Sequence, residues 1–334
     1  MRIALLFVAL PLALSLVALA QQPAPATRRV VVVDSLPAII AERVVPALEA
    51  ELASLLARDG QRLRLATLRG SLGPELATQQ LASSDLVISL GRAAAASAAR
   101  ALAGTTTPHL FAFVPPTTAA RLVSTDGSPA RGRATGIAGR LSRVVALAML
   151  RQLLAGREAA PLRVGVVHLA EPHASDDAAR LVARAPGSLE LVPIRVATAP
   201  DATTGMIIEA VRAAIADASN TGGFAGFWLT IEPPVDVPAL VRAINGGTGG
   251  PVLYAPGLDA VAAGALMSIV PEPDSMARDV AAMAKRLLDG REPAALPVQS
   301  PSQVDFALNL KTADLLGIVP SPELLELTHG RLYR

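Results

Sequence analysis

The chain has 334 residues, 51% of them hydrophobic and 17% charged, which is longer than a usual single domain and apolar enough for sizeable cores, so two lobes are expected. Its formal net charge is only +2, and Lys occurs only at Lys285 and Lys311 among scattered arginines; with no basic run and few aromatics, nucleic-acid binding is not expected. Cysteine is absent, which excludes a disulfide framework, a thiol nucleophile and a lipid-modified N-terminal cysteine.

Arg2 is followed by an apolar run over 3–20 that ends in Ala18-Leu19-Ala20. A short positive start, an apolar middle and a small-residue end describe a secretory signal peptide, 1–20, cut after Ala20. At 18 residues the run could also serve as a membrane anchor, but its small-residue end and the polar stretch that follows favour cleavage. Residues 21–28 then read as a linker. With no anchor cysteine, the mature chain is expected free in the periplasm.

Short apolar runs then alternate with segments of helical period. Strands are predicted at 29–34, 62–67, 85–91, 109–114 and near 133–138, with helices at 38–60, near 73–82 and at 92–104. The pattern restarts with a helix at 140–155 and a strand at 162–169. Further strands follow at 188–196, 225–231 and 251–255, with helices near 175–185, 204–218 and 237–245. Strand–helix alternation with continuous apolar strands predicts parallel sheets covered on both faces. Two such series predict an α/β protein of two doubly wound, Rossmann-like lobes.

In open α/β sheets ligands bind beyond the carboxyl ends of the strands, so facing lobes would form an interlobe cleft. The candidate ligand-binding residues are therefore Asp34, Ser35, Gly91, Arg92, Ala93, Val114, Pro115, His168, Ala170, Thr230, Glu232 and Tyr254. Arg92 opens a helix directly after a strand, where its guanidinium and free N–H groups could hold a carboxylate or phosphate; a solvated surface arginine is the plainer reading. Tyr254 could meet a ligand or fill a lobe core. Trp228 and the pair Phe111 and Phe113, which alternate along one strand and so share a face, read as core.

No catalytic signature is present: there is no G-x-S-x-G, H-E-x-x-H or P-loop pattern. The glycine-rich 245–250 stretch lies between a helix and a strand, the wrong order for a phosphate cradle. Glu171 and Glu232 each follow a strand, but paired acid–base work needs a separation that spacing alone does not give. His168 and His173 could bind a metal with Asp176 or Asp177, although five residues is not the spacing of a helical pair. The simpler reading makes Ser175 an N-cap and places both aspartates in a first helical turn, where the dipole favours them. Enzyme activity, a cofactor and a metal are therefore not expected.

The C-terminal third resembles the substrate-binding, periplasmic components of ABC-type transport systems, a group that includes tryptophan- and tyrosine-binding members. The carrying pieces are Gly264-Ala265-Leu266-Met267-Ser268, 286–298 and 305–318, with 85–95, 108–114, 134–139 and 164–172 agreeing in order and spacing. Two positions depart from the pattern: Arg92 stands where the family often has Thr or Ser, and Pro115-Pro116 where it often has Asp-Pro. Both line the family's ligand cleft, which argues against an aromatic amino acid.

The resemblance implies a type I periplasmic-binding-protein fold whose chain crosses between lobes three times, near 139, near Leu266 to Ser268 and near 293–300. The implied lobes are 29–138 plus 267–292, and 139–266 plus 293–330. It further implies capture of a small solute by hinge closure and its delivery to an inner-membrane permease driven by a cytoplasmic ATPase; from Arg92 and the helix N-termini the solute is expected to carry an anionic group, and the chain is expected to be a monomer. A periplasmic sensor or accessory protein on the same fold is the alternative.

Overall fold

The computed structural model describes residues 25–69, 79–115, 119, 122–123, 133–139, 143–155, 161–199, 201–231, 235–247 and 249–334. The expected signal peptide, half of the linker (21–24) and much of the expected 73–82 helix lie outside them; the linker's last two residues, Thr27 and Arg28, already belong to the first strand. Among the described residues, no helix is long and apolar enough to cross a membrane.

The first sheet contains β1 (Thr27–Asp34), β2 (Arg62–Arg69), β3 (Leu86–Leu90), β4 (His109–Val114) and β5 (Ala134–Ala138). Their spatial order is β2-β1-β3-β4-β5, with every pair parallel. The valines of β1 show why the strand is an unbroken apolar run. Val30 and Val32 face a core with Val44, Leu48 and Leu52 of helix α1 (Ala38–Ala57), while Val31 and Val33 face Ala94 and Ala98 of α2 (Arg92–Ala101). Successive strand side chains point to opposite faces, so a sheet with helices on both sides needs apolar residues at every position.

The second sheet is built the same way. It contains β6 (Leu162–Leu169), β7 (Leu189–Val196), β8 (Gly226–Leu229), β9 (Val252–Tyr254), β10 (Met267–Pro271), β11 (Val304–Asn309) and β12 (Leu332–Tyr333). The order is β12-β11-β10-β9-β8-β6-β7, parallel except where β10 meets β11. One face packs on α3 (Arg143–Leu153) and α4 (Pro172–Val182) through Leu147, Leu150, Ala178 and Leu181. The other packs on α5 (Thr204–Ser219) and α6 (Val237–Asn245) through Val211, Ile215, Leu240 and Ile244. The remaining helices are α7 (Leu258–Ala262), α8 (Pro273–Leu288), α9 (Leu310–Leu315) and α10 (Pro322–Leu327).

Three expectations need correction. First, the crossings lie later than expected. Met267–Pro271 pairs with β11 in the second sheet, and only α8 beyond it packs on the first, through Met276, Val280 and Met283. The chain therefore returns after Pro271, not at Leu266 to Ser268. The next crossing falls at the late end of its expected span, 293–300, so the expected lobe bound at 293 moves. Thr135 donates to the Leu296 carbonyl at 2.7 Å, and Gln299 both donates to Gly136 and accepts from Ala138. These bonds hold 296–299 on the first sheet.

Second, Ser175 is not a cap. Helix α4 starts at Pro172, with Glu171 as N-cap residue, and no acidic residue lies in its first turn. Proline is well suited to a first helical position, because its missing N–H has no partner there anyway. Asp177 instead lies buried one turn further on.

Third, Phe111 and Phe113 do not share a face. Phe113 has φ +56 and the β4–β5 register shifts between Ala112 and Val114. The bulge sends Phe111 to the core around Ala95 and Val114 and Phe113 to the α1 and α8 side.

Candidate functional site

The carboxyl ends of β6, β7 and β8 meet over a cavity of about 340 Å³. Leu169, Ala170 and Glu171 follow β6; Thr198 and Ala199 follow β7; Thr230 and Ile231 follow β8. The openings of two helices complete this wall, with Ala174 and Asp177 from α4 and Thr204 and Ile207 from α5. Facing them from the first sheet are Arg92, the first residue of α2, and Pro115, which follows β4. The cavity thus lies where an open α/β sheet binds ligands, and it takes residues from both halves of the fold.

The first sheet holds Arg92 in place through a short polar relay. Gly91 precedes it with φ +92 and ψ 163, a conformation essentially restricted to glycine. Its N–H donates to the Ala112 carbonyl at 2.9 Å. The Ser35 hydroxyl donates to the Leu90 carbonyl and accepts from the Ala94 N–H at 3.0 Å, capping α2 from another loop. Asp34 orders that loop: it accepts from the Leu36 N–H at 2.8 Å and pairs with Arg69 at 3.2 Å. Asp34, Ser35 and Gly91 are therefore supports of Arg92 and do not line the cavity.

Gly91→Ala tests this support. An added Cβ would stand 2.7 Å from the Ser35 hydroxyl. We expect a stability loss of roughly 1–3 kcal/mol from the backbone conformation alone, read by urea unfolding. An unchanged midpoint would show that the relay is not under this constraint.

Of the sequence candidates, Arg92, Pro115, Ala170 and Thr230 line the cavity. Glu232 lies outside the described residues. Ala93 is exposed beside Arg92 but is not part of the wall, and Val114 is buried in the core with Phe111. His168 is also off the wall: it is 4% exposed, and its Nδ1–H donates to the Leu169 carbonyl at 2.9 Å. Tyr254 stacks on Trp228 with ring centroids 4.1 Å apart inside the second-lobe core. Strand pairing sets Trp228 opposite Tyr254, which turns both rings to the same face.

Thr198, Ala199, Thr204 and Ile207 were absent from the sequence candidates. The signal that finds them is the same carboxyl-end rule, applied to the strand 188–196 as well. Among the described residues, no group of three or more His, Cys, Asp or Glu side chains is arranged to hold a metal ion.

No protein-family model and no curated protein matches the chain. Solved structures do. An ABC domain from Streptococcus pneumonia in complex with L-Trp aligns with a TM-score of 0.67 at 18% identity, covering 92% of this chain and 100% of its own. A conserved domain protein from Vibrio cholerae gives 0.64 at 19% identity over 92% of this chain and 99% of its own. The ligand-free, open form of a substrate-binding protein with adhesive properties from Clostridium difficile gives 0.61 at 16% identity, covering 88% and 96%. The likeness shows the fold: two α/β lobes with type I periplasmic-binding-protein architecture.

Proposed function

We propose that this chain is the periplasmic solute-binding component of an ABC importer. It is exported through a cleaved signal peptide, captures a small solute with an anionic group by hinge closure, and delivers it to an inner-membrane permease as a monomer. One observation carries this reading: the cavity at the carboxyl ends of the second sheet, with the Arg92 guanidinium brought to it from the first. A fold shared with a Trp-complexed ABC domain and a substrate-binding protein supports it. Arg92, Pro115, Ala170 and Thr230 are the sequence candidates we assign to solute contact. The chain does no chemistry in this role.

The test is a thermal-shift screen, because a solute that binds only the folded state raises its stability. For a solute found this way, Arg92→Ala should weaken binding by about 10- to 100-fold, since a hydrogen bond to a charged group contributes about 1.5–3 kcal/mol. If Arg92→Ala leaves every response unchanged, the anionic-group assignment is wrong.

The second reading is a sensor or accessory protein on the same fold that does not serve transport. It is favoured by Arg92 and Pro115, the two described wall residues supplied by the first sheet, both of which depart from the pattern of the transport family. An ATPase and a permease encoded beside the gene select the first reading. A neighbouring sensor kinase selects the second.

A further inference from the structure

We infer that the first lobe carries a membrane-docking face: Arg29, Arg62 and Arg64, gathered on one side of β1 and β2, bind the anionic headgroups of a lipid surface. This lies beyond the solute-binding reading and uses only its export step.

The three arginines come from separate stretches of sequence, and strand pairing brings them together. Arg29 stands in register with Arg64, and Thr27 with Arg62. Residues in register, and those two apart along one strand, share a face. The three side chains therefore leave the sheet on one side, the side on which Val31 and Val33 meet α2 further along β1. Their stems start about 4.8 Å apart across the strands and about 6.6 Å apart along β2. All three residues are exposed. Among the described residues, none of the three guanidiniums has a hydrogen-bond or ion-pair partner. Asp85 lies beside Arg29, but its carboxylate accepts from the Arg29 backbone N–H at 2.6 Å.

This arrangement is unfavourable for the fold, because like charges directly opposite on paired strands repel. Edge protection explains part of it. β2 is the outer strand of its sheet, and charge on an edge strand deters pairing with another chain. That does not explain Arg29, which lies on β1 with β2 on one side and β3 on the other. A carboxylate there would leave the edge equally protected and form a cross-strand ion pair. A partner that supplies the negative charge accounts for all three arginines. With a formal net charge of only +2, the attraction is local to this face.

The chain that leads into β1 names the partner as a lipid surface. The residues 21–26 separate the apolar run over 3–20 from Thr27, and none of them is charged. Fully extended, a stretch of that length reaches about 20 Å, so export brings this face to the bilayer. The guanidinium fork matches phosphate oxygens. The absence of cysteine leaves no lipid anchor, and a basic face provides reversible attachment in its place. It lies at the amino ends of β1 and β2, whereas the cavity lies at the carboxyl ends of the strands.

The test is sedimentation of the mature chain, 21–334, with vesicles of phosphatidylcholine alone or mixed equally with phosphatidylglycerol. Each arginine near an anionic surface strengthens binding by about fivefold. The native chain should prefer the anionic vesicles by on the order of 100-fold, and lose that preference at about 0.5 M salt. Arg62→Gln combined with Arg64→Gln should weaken binding by roughly 20-fold. Circular dichroism checks the fold; if the double variant does not fold, each single change is read instead, at about fivefold. Arg151→Gln combined with Arg184→Gln removes the same charge from exposed positions on the second lobe, and should leave binding as it is. Equal binding to both vesicle types, or to neither, overturns the inference, as does an equal loss in the two double variants. Binding to immobilised polyglutamate without binding to anionic vesicles also overturns it, in favour of an acidic protein partner. Each of these outcomes leaves solute capture to the thermal-shift screen, which reads the cavity.

Discussion

Replacing Trp228 with alanine should lower the stability of the second lobe by about 3–5 kcal/mol, the usual cost of removing a large buried aromatic side chain. Trp228 is 1% exposed and belongs to the core that packs the second sheet on α3 and α4. Its ring lies on Tyr254 at 4.1 Å and an interplanar angle of 19°. Truncation removes the apolar burial, breaks the stack and leaves a void that the flanking strands β6 and β9 can close only by moving. Such pairs add about 0.5–1.5 kcal/mol beyond burial, so Tyr254→Leu should cost less than the tryptophan change. Unfolding must be followed by circular dichroism, because Trp228 is the only tryptophan and the variant has no indole fluorescence. A loss below about 0.5 kcal/mol, the scale of an ordinary surface change, would mean the stack does not organise this core. The variant bears on the site as well, since β8 carries Thr230 and Ile231 to the cavity.

Much of the fold is written in local pattern. Buried parallel strands need apolar residues on both faces, so the valines of β1 and the 86–90 run announce themselves, and Gly91 marks the end of β3. The crossings are not local in this way. Whether Met267–Pro271 belongs to one sheet or the other depends on its pairing with Val304–Asn309, a partner far along the chain. The bulge at Phe113 is equally hidden, because strict alternation predicts a shared face that one residue at φ +56 undoes.

The site divides in the same manner. The carboxyl-end rule finds Arg92, Pro115, Ala170 and Thr230, because it depends only on where strands stop. It also selects His168, one residue too early on its strand, and Tyr254, whose strand end does not reach the cavity; both rings are turned into the protein instead of the cleft. The rule does not say which neighbours serve as supports. Ser35 caps α2 from 59 positions away, and nothing in its own surroundings in sequence signals that.

A buried histidine makes the second large prediction, for the first lobe in acid. His109 is 3% exposed on β4, its Nε2 2.7 Å from the Ser89 hydroxyl and its ring edge-on to Phe111. Burial disfavours the imidazolium and pushes its pKa down from 6.5 to about 4. The unfolded chain therefore binds more protons than the folded one between these values, and stability falls as pH is lowered through that window. Above the unfolded pKa the ring is neutral in both states and costs nothing. Below the folded pKa it is charged in both, and the loss stops growing. Each pKa unit is worth about 1.36 kcal/mol, so this one ring should remove roughly 3 kcal/mol between neutral pH and pH 4. His109→Gln keeps a hydrogen-bonding group beside Ser89 and cannot titrate. Urea unfolding of both proteins from pH 7 to pH 4 should show the gap between them shifting by that amount in favour of the variant. Parallel curves would mean that His109 takes up its proton in the folded state as readily as in water, and that burial at this position does not hold the ring neutral.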